Sequence, residues 1–138
     1  GAELVDIDYI MESIDWNKSE KEQLQGIRMA QEVQSINVFL QPCNKRYNKN
    51  VWDNCAQILA KRKDEELSPY LIDLFRWLQD LNWPGAFCVF DRLKRYSDVN
   101  SFNYAYDICL KCAKALDDEV WLANLQILQK EKRMGCSI

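Results

Sequence analysis

The 138-residue sequence contains no histidine. Within this chain that excludes a Ser-His-Asp or Cys-His catalytic arrangement and any histidine-ligated metal, and it removes the usual side chain for acid-base work near neutral pH. No apolar run approaches the roughly 18 residues that a membrane span requires. The opening GAELVDIDYI lacks the basic-then-apolar build of a secretory signal, so a soluble cytoplasmic protein is expected. Positive charge is in short supply: 18 Lys and Arg against 21 Asp and Glu leave a formal charge of −3. A nucleic-acid partner is therefore not expected, because phosphate contacts need a basic surface. Alternating stretches rich in Val, Ile and Thr are nearly absent, which argues against sheets.

What is present is a chain able to build a core, with 48% hydrophobic residues and 12% aromatics, enough for one compact domain over residues 1–138. The six cysteines are Cys43, Cys55, Cys88, Cys109, Cys112 and Cys136. An even count suits disulfides in small secreted chains poor in core residues, and this chain does not fit that description. Cys55, Cys109 and Cys112 fall on the apolar phase of helical patterns, where a thiol packs as a small hydrophobe. Cys109-x-x-Cys112 is half of a zinc or redox motif without its second half, so no metal and no cofactor is expected.

Apolar residues recur at i, i+3, i+4 and i+7 almost throughout, which predicts an all-α fold of about seven helices. A capping helix spans residues 3–14, with Leu4, Ile7, Ile10, Met11 and Ile14 on one face. Ser19 and Glu22 form a capping box opening a helix over 20–34, which carries Leu24, Ile27, Ala30 and Val33. Residues 35–48 have no helical period and contain a proline; Ile36, Val38, Phe39 and Leu40 press this loop onto the core. Further helices are predicted over 50–62, 69–81, 84–96, 101–116 and from 117 to about 130, with Pro69 and Pro84 at first helical positions. Paired, they give hairpins over 20–62, 69–96 and 101–130.

A repeat of 35 residues superposes three of these helices. Val51, Ala86 and Trp121 coincide, as do Trp52, Phe87 and Leu122, then Cys55, Phe90 and Leu125, then Ile58, Leu93 and Leu128. At a spacing of 34, Leu71, Leu74, Phe75 and Leu78 fall on Ala105, Ile108, Cys109 and Cys112. Stacked hairpins, each covering the apolar side of the next, account for such a pattern and for the broad apolar face of residues 70–81.

Residues 69–96, PYLIDLFRWLQDLNWPGAFCVFDRLKRY, resemble one HEAT-type repeat. The WLQDLNWPGA bend within them is similar to that of a family of small bacterial helical proteins of unknown function, sharing a WLQDxNWPG motif, some of whose relatives lie in toxin–immunity gene neighbourhoods. The likeness is best over 65–96, and the long 35–48 loop departs from a HEAT consensus. The resemblance implies an α-α superhelix of HEAT/armadillo-like stacked hairpins. It also implies a non-catalytic protein-binding module whose partner is another protein, in its most concrete form a toxin domain masked by an immunity protein. Nucleic-acid binding or processing, which some HEAT-like proteins perform, is the alternative.

In such stacks the outward stripe of each second helix lines a concave surface. In this sequence the stripe comprises Asp53, Asn54, Gln57 and Lys61, then Asp91, Arg92 and Arg95, then Asn124, Gln126 and Lys130, a mixture that an ordinary solvated face also predicts. Trp83, in the bend, either plugs the joint between hairpins or stands out as an anchor. Basic clusters at Lys61 to Lys63, at Arg92, Lys94 and Arg95, and at Lys130, Lys132 and Arg133 could draw an anion, yet each sits where a helix C-terminus favours cations. Residues 1–35 carry a formal −5, which would steer a basic partner. Asp73 and Asp80 flank Arg76 at helical spacing, which ion pairing explains without catalysis.

Overall fold

The computed structural model describes residues 6–44 and 46–135, and among these the chain is all-α with no strand. Seven helices of six residues or more occur: α1 (Ile7–Ser13), α2 (Glu20–Ala30), α4 (Trp52–Ala60), α6 (Leu71–Arg76), α7 (Ala86–Lys94), α8 (Val99–Ala115) and α9 (Glu119–Gly135). Two single turns join them, α3 (Gln41–Asn44) and α5 (Asp64–Leu67). Leu4, part of the expected first helical face, lies outside the described residues, as does Cys136.

Most helix starts follow from short polar side chains that satisfy otherwise orphaned amides. Asp6 accepts from Tyr9 N, Ser19 from Glu22 N, and Asp98 from Asn100 N and Ser101 N. The Asp98 cap starts α8 two residues ahead of its predicted position. In the Ser19 box, the Glu22 carboxylate takes a hydrogen bond from the Ser19 hydroxyl at 3.0 Å. Asp117 takes a positive φ of 53° between α8 and α9, and Asp118 Oδ1 then accepts from Trp121 N at 3.0 Å.

Other boundaries depart from the sequence pattern as well, and α9, predicted to end near residue 130, runs on to Gly135. The helix predicted over 69–81 begins earlier and is broken: α5 leads through a 3-10 turn at Ser68–Tyr70 into α6, and a second 3-10 turn at Trp77–Gln79 ends it. Pro69 supplies no amide and its ring disfavours the regular α pattern at that point. Pro84 does not start α7, because Gly85, with φ +84°, stands between them. The helix predicted over 20–34 ends at Ala30. Residues 35–48 hold a 3-10 turn at Ile36–Phe39 and then α3, with Ile36, Phe39 and Leu40 buried.

The helices form two rows. In one, α2 touches α4, α4 packs closely on α7, and α7 touches α9. In the other, α3 meets α6 and α6 lies along α8. Between rows, α1 packs on α2, the 36–39 turn on α4, α6 on α7, and α8 on α9. Three of the four superposed apolar positions are buried in all three repeats: Val51, Ala86 and Trp121; Cys55, Phe90 and Leu125; Ile58, Leu93 and Leu128. The fourth breaks at Phe87, which is 64% exposed although Trp52 is buried.

Tryptophans lock the layers together because each buried indole N–H finds a carbonyl. Trp121 Nε1 donates to Phe75 O at 3.1 Å, tying α9 to α6. Trp77 Nε1 donates to Pro84 O at 3.0 Å, closing the bend between α6 and α7. Phe75 meets Phe102 edge-on at 5.1 Å between ring centres.

Candidate protein-binding surface

The bend spelled WLQDLNWPGA positions the stripe on α7. Asp80 ends the preceding helical run in an extended conformation, and its Oδ1 accepts from Asn82 N at 2.8 Å. This closes a local turn on the Asp80 carboxylate. Trp83 is half-buried, with its ring edge-on to Trp52 at 5.7 Å; Trp52 in turn meets Trp77 at 6.5 Å. Gly85 then lies flat against α4: a Cβ there would fall 2.6 Å from Ala56 Cβ and 2.8 Å from Trp52 O. Only glycine permits both this φ and this approach, and the approach sets α4 and α7 side by side.

The predicted stripe divides in two. Asp53, Gln57, Lys61, Asp91, Arg95, Gln126 and Lys130 are exposed, whereas Asn54, Arg92 and Asn124 are buried. The buried three are corrections to a solvent-facing assignment, and each is turned inward by a backbone carbonyl. Asn54 Nδ2 donates to Ile14 O at 2.7 Å, at the end of α1. Asn124 Nδ2 donates to Leu78 O at 2.8 Å, at the end of the α6 run. Arg92 Nη2 donates to Arg62 O at 2.9 Å and also pairs with Asp64.

The basic clusters divide in the same way. Arg62 is buried and donates to Ala30 O at 3.0 Å, to Gln31 O at 3.1 Å and to Val33 O, closing the C-terminal end of α2. This explains why α2 stops at Ala30 although the apolar phase continues to Val33. Lys132 does the same for α7, donating to Leu93 O at 3.4 Å, to Lys94 O at 3.2 Å and to Tyr96 O. Exposed carbonyls at a helix end attract cations, and here three of the predicted anion-binding cations are consumed by them. Asn54 and Asn124 stand 70 residues apart, as do Arg62 and Lys132. That doubled period is the sequence signal for these buried polar ties, and the single 35-residue register hides it because Val89 and Ser97 occupy the middle positions.

Asp64 is held below the usual carboxylate range. Burial alone would raise it, but hydrogen bonds from the Ser97 hydroxyl and amide and from Arg92 outweigh that cost. Ser97 Oγ donates to Asp64 Oδ2 at 2.6 Å. On the outward side of α4 and α7, Cys88 is half-buried. Burial, with Asp53 and Asp91 nearby, raises its thiol pKa while Arg95 opposes. Burial likewise pushes the Cys55 thiol up, and Cys55 and Cys109 are buried free thiols with Cys112 half-buried. Among the described residues no group of three or more Cys, Asp or Glu side chains is placed to hold a metal ion.

Asp53, Gln57 and Lys61 are thus exposed on α4, and Phe87, Asp91 and Arg95, spaced four residues apart, are exposed on the neighbouring α7. Phe87 is the residue the periodicity misplaces: Ala86 takes the buried position against α4, leaving the next side chain turned to solvent. Gln126 and Lys130 belong elsewhere, in an open groove of about 660 Å³ between α8 and α9 that Asn103, Tyr106 and Asp107 also line. The stripe is thus not one continuous row of side chains. On α2, Leu24 likewise departs from its expected core position and is exposed.

No helix among the described residues is long and apolar enough to cross a membrane. Residues 47–135, well over half of the chain, match a family described as a domain of unknown function (DUF5071). No curated protein and no solved structure matches the chain.

Proposed function

Because the chain belongs to the DUF5071 family, a domain of unknown function, we propose its role from its surface: a non-catalytic protein-binding module of the bacterial cytoplasm, with its hairpins stacked in a HEAT-like superhelix. The matched segment contains the whole of α4, α7 and α9. The observation that carries the proposal is Phe87, exposed at the start of α7 in line with Asp91 and Arg95, with Asp53, Gln57 and Lys61 exposed on the neighbouring α4. A solvent-exposed aromatic on the same helix face as Asp91 and Arg95 has the composition of an interface anchor beside a polar rim.

In its most concrete form the module is an immunity-type protein that covers a cognate toxin domain, acting by steric and electrostatic occlusion. The formal −5 of residues 1–35 would steer a basic partner toward the complex. Purified protein mixed with the product of the adjacent gene tests this by calorimetry. The expected result is a stoichiometric complex that inhibits the toxin and is lost on Phe87→Asp. If the neighbouring product does not bind and pull-down returns only nucleic acid, with affinity falling steeply as salt rises, the proposal fails.

A further inference from the structure

Helix α9 has two apolar faces. One, formed by Trp121, Leu125 and Leu128, is sunk in the core. The other is turned to solvent: Val120 is 62% exposed, Ile127 46% and Met134 65%, with Ala123 exposed between them. An outer helix face is ordinarily polar, yet here apolar residues return every seven positions, with Ala123 at the first intervening place and the long stem of Lys130 at the second, the spacing of a helix that pairs with another. Seventeen residues of helix give such a seam a length of about 25 Å.

Charge selects the partner. Ile127 is the midpoint between Val120 and Met134, so a two-fold axis through Ile127 sets Val120 of one chain against Met134 of another with the helices antiparallel. Glu119 in the first turn and Arg133 in the last turn are 14 residues apart, close to four turns, and therefore flank the same edge of the seam. The two-fold axis brings Glu119 of each copy beside Arg133 of the other, twice over. A parallel two-fold would send this edge of the two copies to opposite sides of the seam and leave Glu119 and Arg133 unpaired across it. The surface is its own complement, the condition for an isologous contact. We infer that the exposed face of α9 pairs with a second copy of this chain in an antiparallel, two-fold dimer separate from the α4–α7 surface.

A seam of one helix per copy is small, so the dimer should dissociate with a Kd of about 1–100 µM. Sedimentation equilibrium of the full chain from about 0.5 to 500 µM, spanning that range, reads it directly. The expected result is a reversible monomer–dimer equilibrium. Ile127→Glu should raise the Kd at least about tenfold, and Arg133→Glu by roughly three- to tenfold. Adding Glu119→Arg to Arg133→Glu should return the Kd to near the wild-type value, because the exchanged charges again face each other. All three positions are exposed, and circular dichroism of each variant checks that the fold is kept. A wild-type chain that stays monomeric at the highest concentration overturns the inference and leaves the face to a different protein. A dimer indifferent to Ile127→Glu, or a double variant no tighter than Arg133→Glu alone, overturns it as well.

Discussion

Replacing Gly85 by alanine should destabilise the protein by about 2–5 kcal/mol, and the sum has two separable parts. Gly85 sits at φ +84°, and an L side chain in that left-handed region costs about 1–2 kcal/mol. The added methyl would also lie 2.6 Å from Ala56 Cβ and 2.8 Å from Trp52 O. Neither neighbour is a flexible tip: one is fixed to α4 and the other is α4 backbone. The helices must therefore separate, an overpacking strain of about 1–3 kcal/mol. Against a typical total stability of about 5–15 kcal/mol, the loss is large. The thermal midpoint should fall by about 8–20 °C for a chain of this size. Urea denaturation of Gly85→Ala, Ala56→Gly and the double variant separates the parts. Ala56→Gly alone costs about 1 kcal/mol of helix propensity. In the Gly85→Ala background it should cost less or restore stability, giving a coupling of about 1 kcal/mol or more. A midpoint for Gly85→Ala within about 2 °C of wild type, under 1 kcal/mol on this scale, would refute the claim that Gly85 sets the α4–α7 distance.

Other expectations follow from the polar ties and the exposed face. The Asp64 carboxyl binds its proton less tightly in the folded protein than in the unfolded chain. Its stabilisation is therefore complete above the unfolded pKa of about 3.9 and disappears as pH falls through the lower folded value. Asp64→Asn should be clearly destabilised at pH 7 and should lose less than wild type does on titration from pH 5 to 2, as read by denaturation midpoints. Lys132→Met opens three carbonyls of the α7 end and should cost about 2–4 kcal/mol in urea denaturation, given about 1–3 kcal/mol for each acceptor left buried and unmet. Exposed Lys130→Met should stay within about 0.5 kcal/mol. Phe87→Ser should leave the melting temperature within about 2 °C of wild type, as expected of an exposed side chain, while abolishing capture of the partner. A melt shifted as far as that of Gly85→Ala would assign Phe87 to the core.

Secondary structure was legible wherever amphipathic period and capping chemistry agree, as at Ser19 and the buried positions Cys55, Phe90 and Leu125, whereas the Asp98 cap falls ahead of the predicted start of α8. It was less so where one residue's covalent geometry decides, because periodicity carries no information on φ: Pro69 breaks one helix into turns and Gly85 delays another. The surface was harder still. Asn54, Arg92 and Asn124 have the phase and polarity of solvent-facing residues, and long or amide side chains can turn back to carbonyls without altering either. Phe87 carries the opposite ambiguity, an apolar residue at a repeat position already filled by Ala86. The short turns in residues 36–44 lack a period altogether and are held by burial of Ile36, Phe39 and Leu40.

The cationic ties have a consequence for how the molecule comes apart. Arg62 on the α4 side closes α2, Arg92 on α7 reaches the chain end of α4, and Lys132 on α9 closes α7. Every layer thus completes the one before it, so fraying at one end strips acceptors from its neighbour instead of stopping at a boundary. Where simple helical arrays can melt repeat by repeat, this chain should lose its layers in a single cooperative step, with amides near Ala30 and Leu93 exchanging only when the whole stack opens.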